Sequence, residues 1–326
     1  MSPVEELVRE RLQAKRKTLA DAAAVRREES LVELLRRVDE ALSHLEIGDW
    51  GLCAVCHEAM DPGRLTSDPL ISVCLECLSA EDRSALERDL ESAARVQRAL
   101  LPPRELVHDG WEVAWMWEPR GAVSGDHVDI LAPRSDGDPV HLLLGDVVGK
   151  GVAASFLQSH LHALFRALTT PEMDLGELLV RANRLFCEAT AGASYATFIG
   201  TRLRPDGMVE LANAGHPRPL IADRRGVRPV EGSGLPLGLF LESEYGSREV
   251  RLGAGDVLLL YTDGWTEAAQ EEEEFGIGRA AAALRQAAAH PLPDLLDACR
   301  DEMERFLDGT RRGDDLTLLA VRRTTD

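Results

Sequence analysis

Two Cys-x-x-Cys pairs, Cys53/Cys56 and Cys74/Cys77, stand 17 residues apart in the stretch "CAVCHEAMDPGRLTSDPLISVCLEC", and no other feature restricts the chain as strongly. Each pair forms a tight knuckle that presents two sulfurs, and two knuckles close a tetrahedral cage around one zinc ion. Cys53-x-x-Cys56-His57 alone also matches a covalent haem attachment site, and a redox dithiol or iron site would use the same residues. Haem leaves Cys74 and Cys77 without a role. One structural Zn²⁺ on Cys53, Cys56, Cys74 and Cys77 is therefore the expectation, with His57 a bystander. A closed cage leaves no open coordination position, so the module reads as a folding clamp and the chemistry has to lie elsewhere.

The first residues, "MSPVEELVRERLQAKRK", are charged throughout, and no later run approaches the ~18 apolar residues of a membrane span. A cytoplasmic protein away from membranes is expected, where thiols stay reduced and serve as ligands. The other cysteines, Cys187 and Cys299, fall in apolar helical patterns and read as buried thiols. With 37 Lys and Arg against 56 Asp and Glu the net charge is −19, which repels nucleic-acid phosphates. Between Gly51 and Ala80 a lone Arg64 faces Glu58, Asp61, Asp68 and Glu76, so direct DNA binding is not expected.

Leu31, Leu35, Val38, Leu42 and Leu45 recur in steps of four and three, the seam of an amphipathic helix. Its partner is either a second copy in a coiled coil or a helix of the same chain. Residues 1–48 thus read as a helical arm and 49–80 as the zinc module. Residues 81–101 read as a polar linker helix that Pro102 and Pro103 end. From 102 to 326 short apolar runs such as "VHLLLGD", "YATFIGTRL" and "DVLLLYTDG" alternate with glycine turns and a few helices, an α+β pattern. The acidic run 271–274 reads as a solvated loop.

Within that segment aspartates repeatedly end an apolar run beside glycine: Asp126 in "VSGDHVDI", Asp146 in "LLLGDVVGKG", Asp263 in "LLLYTDGW", and Asp314 with Asp315 in "RRGDDLTLL". A strand that ends in Asp delivers a carboxylate to a sheet rim, where several can converge. Carboxylates without histidines suit Mg²⁺ or Mn²⁺. Such ions commonly serve phosphoryl chemistry. "GDVVGKG" lacks the full phosphate-loop pattern, and Lys150 reads as a surface lysine at a helix start.

The ordered series "ARVQRALLPP", "VSGDHVDI", "GDVVGKGVAASFLQS", "LANAGHPRPLI", "LPLGL", "GAGDVLLLYTDGWTEA", "EFGIGR" and "GDDLTLL" resembles the PPM/PP2C-type serine/threonine phosphatases of the SpoIIE/RsbU branch over residues 88–323. The resemblance implies a PP2C-like β-sandwich of two antiparallel sheets flanked by helices. It implies two Mn²⁺ or Mg²⁺ ions held by Asp146, the Val147 backbone carbonyl, Asp263 and Asp314, with Asp126 acting directly or through water, and in-line hydrolysis of a phosphorylated protein. By the same resemblance the substrate is a STAS-type anti-sigma-factor antagonist, and "ESAARVQRALLPP" is a switch helix through which the zinc module regulates a homodimer. No residue matches the catalytic histidine of eukaryotic PP2C enzymes. His127 reads as a partly exposed structural residue, His216 and Asn213 as turn residues, and Trp265 as altering the substrate rim. Residues 30–80 resemble the DksA/TraR zinc-finger module. That likeness implies an RNA polymerase contact and, as an alternative function, a transcription regulator with the phosphatase domain as scaffold.

Overall fold

The structure, a computed structural model, describes residues 3–25, 29–133, 135, 137–171, 173–190, 194–232 and 234–324. The chain divides into two compact units, Met1–Asp89 and Leu90–Asp326.

In the first unit, helices α1 (Pro3–Val25) and α2 (Glu29–Ile47) pack together. The leucine seam finds its partner within the chain: Val38 and Leu45 are buried against Val8 and Leu12 of α1. The opposite face of α2 is solvated and carries the ion pairs Arg36–Glu33 and Arg36–Glu40. Gly48, at φ +82°, ends the helix in a left-handed conformation that suits glycine. The cysteine segment follows, with the single turn α3 (Pro62–Ser67) capped by Asp61, which accepts from the Arg64 amide at 2.9 Å. Helix α4 (Ala80–Leu100) starts at Ser79, whose hydroxyl accepts from the Asp82 amide, and stops before the two prolines.

The second unit takes in the end of α4 and runs through β1 (Glu105–His108), β2 (Trp111–Glu118), β3 (Asp126–Leu131) and β4 (Val140–Val147). Helices α5 (Val152–Leu168) and α6 (Leu175–Thr190) follow. Next come β5 (Ala196–Leu203), β6 (Met208–Ala214), β7 (Leu220–Asp223), β8 (Gly226–Pro229), β9 (Ser247–Arg251) and β10 (Val257–Tyr261). The short α7 (Asp263–Thr266), a ribbon of β11 (Ala269–Gln270) and β12 (Glu273–Glu274), helices α8 (Gly276–Ala287) and α9 (Leu292–Leu307), and β13 (Leu316–Arg323) complete it. The acidic run 271–274 is thus solvated as expected, but bends into that ribbon.

The strands form two antiparallel sheets, one in the order β1-β2-β13-β10-β7-β8 and the other β3-β4-β5-β6-β9. Their strands read as continuous apolar runs because both faces are covered. In β10, Leu258 and Leu260 enter the layer between the sheets, while Val257, Leu259 and Tyr261 pack under α8 and α9. In β4, Leu142 and Leu144 face the other sheet, and Leu143 and Val147 face α5 and α6. Each such side chain contributes about 1.5–3 kcal/mol of transfer free energy. The resulting layers, helix on sheet on sheet on helix, leave a polar opening where β3 and β13 begin and β4 and β10 end.

Candidate active site

Asp126 opens β3 and Asp146 nearly closes β4, and the register sets them directly opposite each other. The other sheet supplies Asp263, at the turn after β10, and Asp314, two residues before β13. Sequence-distant carboxylates from both sheets therefore meet. Asp126 is fully buried, whereas Asp146, Asp263 and Asp314 line the partly open mouth. One Asp126 oxygen, Oδ2, accepts from the Thr262 hydroxyl at 2.9 Å and the Thr317 hydroxyl at 2.5 Å. Both threonines are interlocked across β10 and β13, so the six-stranded sheet orients an acid that belongs to the five-stranded one.

Gly125 shapes the same corner. A Cβ there would lie 3.0 Å from the Val147 carbonyl oxygen and 3.2 Å from Asp146 Oδ1, so its absence leaves both oxygens facing open space. Asp315, the second acid of its pair, is turned away to hold a loop: its oxygens accept from the amides of Arg120 at 2.6 Å and Gly125 at 2.9 Å. That leaves Asp314 as the acid presented to the mouth.

The electrostatics call for cations. Burial, and then repulsion from Asp146, drives the Asp126 carboxyl well above the usual carboxylate range. Burial, followed by Asp263 and Asp314, raises Asp146 to about 8, and burial with Asp314 raises Asp263. Lys150 is ion-paired to Asp314 at 2.9 Å and also donates to the Gly313 carbonyl, so this lysine belongs to the rim of the site. One exposed ammonium does not compensate four acids. Oxygen donors alone, with a glycine-made opening in front of a carbonyl and a carboxylate, fit Mg²⁺ or Mn²⁺. The carboxylates do not gather into a single-ion cage. Among the described residues, the groups of three or more ligand atoms within 4.8 Å of one another are the four cysteines and His127, Asp129 and His162. A wider spread is what two ions about 3.5–4 Å apart require.

Histidine contributes no acid to this mouth. His127 is completely buried, contrary to the partial exposure expected, because it follows Asp126 on a strand and points to the opposite face under α5. There Gln158 meets its Nδ1 at 3.1 Å, and burial lowers its pKa to about 4. The neighbouring Asp129 gives both oxygens to Arg166, at 2.8 and 2.7 Å, which closes that group as an ion pair. His216 and Asn213 lock a turn: Asn213 accepts from the His216 amide and donates to its carbonyl. Trp265 is absent from the rim. It is fully buried among Tyr261 and Phe275, with its indole N–H on the Cys299 carbonyl at 3.2 Å, because α7 turns its side chain beneath α8 and α9.

Several supporting residues escaped the sequence reading. Gln97, buried near the end of α4, donates to the Ser124 carbonyl at 2.7 Å and accepts from its amide at 3.0 Å, and the Ser124 hydroxyl in turn accepts from the Asp126 amide. The helix end thus grips the residues just before Asp126. Thr317 had one sequence signal: a lone hydroxyl residue inside the apolar run "LTLLAV".

In the first unit the four cysteines also come together. Cys56 Sγ and Cys74 Sγ are 3.8 Å apart, the edge of a tetrahedron with Zn–S bonds of about 2.3 Å. The amides of Val55 and Cys74 point at the buried Cys53 sulfur, at 3.5 and 3.3 Å. Amides of Cys56 and Cys74 lower the Cys53 thiol to about 6, whereas hydrogen bonding with Cys74 raises Cys77 to about 12, so the cluster does not shed all its protons without a cation. These residues fit a structural zinc ion.

The family model for Stage II sporulation protein E (SpoIIE) matches residues 136–324, more than half of the chain, a span that includes Asp146, Asp263 and Asp314. Phosphoserine phosphatase RsbU of Bacillus subtilis (strain 168) is 23% identical over 189 residues, 57% of this chain and 56% of RsbU. The SiaA-PP2C domain of Pseudomonas aeruginosa aligns with a TM-score of 0.66 at 23% identity, over 75% of this chain and 99% of that domain. The RsbU and RsbW domains of Rv1364c from Mycobacterium tuberculosis align with a TM-score of 0.58 at 31% identity, over 69% and 62% of the two chains. The chain spans about half the length of the curated relatives it matches. Its two packed antiparallel sheets are those of the PP2C-like fold. With the aspartates of both sheets inside or beside the matched span, the chain belongs to the SpoIIE family.

Proposed function

We propose that this chain is a divalent-metal-dependent phosphatase acting on phosphoserine or phosphothreonine in a protein. The observation that carries the reading is the uncompensated acidic mouth formed by Asp126, Asp146, Asp263 and Asp314 from two sheets. Bound there, Mn²⁺ or Mg²⁺ supplies an activated water and neutralises phosphoryl oxygens. Asp146, the Val147 carbonyl, Asp263 and Asp314 would hold the ions, and Asp126, fixed by Thr262 and Thr317, would act on them directly or through water. Phosphatase relatives such as RsbU support a phosphoserine protein as substrate. A STAS-type anti-sigma-factor antagonist is the specific substrate we favour.

The four cysteines hold a structural Zn²⁺ in a module of the DksA/TraR kind, and the Gln97 grip on Ser124 offers a route by which the linker helix tunes Asp126. Val38, Leu42 and Leu45 of the helical seam pack with α1, so this part of it offers no support for pairing through a coiled coil. Among the described residues no helix is long and apolar enough to cross a membrane.

Hydrolysis of an aryl phosphate by the full chain, with Mn²⁺ or with chelator, tests the reading. Manganese-dependent turnover that disappears in Asp146→Ala is expected. Turnover indifferent to manganese and to this substitution would remove its basis.

A further inference from the structure

The acidic mouth is bordered in part by apolar side chains that, among the described residues, remain exposed. The first turn of α5 abuts the site: a Cβ on Gly125 would lie 3.5 Å from Ala154 Cβ as well as 3.2 Å from Asp146 Oδ1. From that turn Val152 and Phe156, one helical turn apart, point to solvent, and Phe156 is 73% exposed. Val148, two residues after Asp146, is exposed too, and its amide donates to the carbonyl of the exposed Tyr195 at 3.0 Å. The loop around Gly238 adjoins this point, since a Cβ on Gly238 would meet the Ser194 carbonyl at 2.5 Å.

That loop is built rather than slack. Asn183, fully buried on α6, donates to the Phe240 carbonyl at 2.8 Å and the Leu241 carbonyl at 3.3 Å, and accepts from the Gly238 amide at 2.8 Å. A buried amide therefore fixes a loop whose Leu239 and Phe240 face water, Phe240 at 60% exposure. Several exposed apolar side chains beside a reactive mouth, part of them on a loop fixed by a buried amide, mark a contact surface, because such side chains cost solubility unless something covers them.

We propose that the strip Phe156, Val152, Val148, Tyr195, Leu239 and Phe240 seats apolar side chains that flank the phosphorylated residue of the protein substrate. The inference rests on the phosphatase reading above. Its occupant follows from geometry. A seryl or threonyl side chain is so short that a phosphate reaching the aspartates brings its own backbone onto the rim, and the flanking residues must then lie on whatever borders the mouth. Lys150 and Asp314 give that border a charged part, and Val148, two residues after Asp146, gives it an apolar part. A substrate with apolar neighbours buries both surfaces, whereas one with polar neighbours leaves the strip wet.

The test uses the full chain with Mn²⁺, an aryl phosphate, and two phosphoserine peptides of equal length and charge, one flanked by Leu and Val and the other by Ser and Asn. The apolar-flanked peptide is expected to have a kcat/KM on the order of tenfold higher, the scale of one well-buried anchor. Phe156→Ser and Phe240→Ser should bring the ratio close to one while aryl phosphate turnover stays at the wild-type rate. Equal kcat/KM for the two peptides, with aryl phosphate still hydrolysed, overturns the strip and leaves the phosphatase standing. Failure to hydrolyse all three substrates removes the phosphatase reading and the strip with it. If Phe156→Ser instead converts a dimer to a monomer and leaves the peptide ratio unchanged, the strip belongs to a second copy of the chain and the proposal is wrong.

Discussion

Gly264→Ala is the substitution that most sharply tests how the two sheets assemble the site. Gly264 follows Asp263 in α7, and a Cβ on it would fall 1.9 Å from the Asp315 carbonyl oxygen, 3.0 Å from its carbon and 3.4 Å from Asp314 Cβ. Ordinary carbon–oxygen contact needs roughly 3.3 Å, so helix and loop must part by more than about 1 Å. Both obstacles are backbone, and no side chain can swing away. Overpacking of this kind costs about 1–3 kcal/mol of stability, which a domain of this size tolerates. Its effect on chemistry is larger, because Asp263 and Asp314 separate together, and a displacement near 1 Å costs about 100-fold in rate. The assay is manganese-dependent aryl phosphate hydrolysis beside a urea melt, with Gly278→Ala on α8 as control, where a Cβ meets nothing within 4 Å. The control should be as active as wild type. A Gly264→Ala enzyme that is folded and equally active would refute the idea that α7 and the 314–315 loop position the acids by direct contact.

Other perturbations have equally defined outcomes. Asp146 has its pKa raised from 3.8 to about 8, so without added metal the folded chain keeps a proton that the unfolded chain releases, and stability falls as pH rises between those values. Asp146→Asn should therefore stabilise the manganese-free protein by an amount that grows by up to about 1.4 kcal/mol per pH unit up to pH 8 in urea melts; an advantage that shrinks with pH would be the wrong sign. Lys150→Ala frees Asp314 from an exposed ion pair worth at most about 1 kcal/mol, so Mn²⁺ should bind up to about fivefold more tightly by calorimetry, and weaker binding would make Lys150 a helper rather than a competitor. Elemental analysis is expected to find one zinc per chain in the wild type and none in Cys56→Ser with Cys74→Ser, whose first unit should melt; zinc retained in full by the double variant would rule out the four-sulfur cage.

The carboxylates were legible because each stands beside a glycine at or near one end of an apolar run, a local pattern that survives without knowledge of strand order. Their pairing was not. Which sheet carries Asp126 and which carries Asp263 depends on non-local register, and so do the Thr262 and Thr317 hydroxyls that meet Asp126 from the opposite sheet. Strand alternation explains the misjudged His127: one residue beyond an acid that faces the site, a side chain faces the helix layer, where it is buried. Trp265 was misread for a related reason, since nothing in "TDGWTEA" reveals that a four-residue helix turns the indole inward. The leucine seam of α2 announced a partner but not its identity, which only packing against α1 resolves. The exposure of Leu239, Phe240 and Leu241 has no sign in the sequence, because the fully buried Leu237 stands in the same apolar run and only the hydrogen bonds of Asn183 set the loop beyond it.

The central claim is that Asp126, Asp146, Asp263 and Asp314 together make a divalent metal site. Titration of the zinc-loaded full chain with Mn²⁺, followed by calorimetry, addresses it directly. Saturable binding of two ions to the wild type is expected, with proton release as the raised carboxyls of Asp126 and Asp146 ionise, and loss of that binding in Asp146→Ala. Wild-type protein that takes up no Mn²⁺, or an Asp146→Ala variant that binds it as wild type does, would contradict the account.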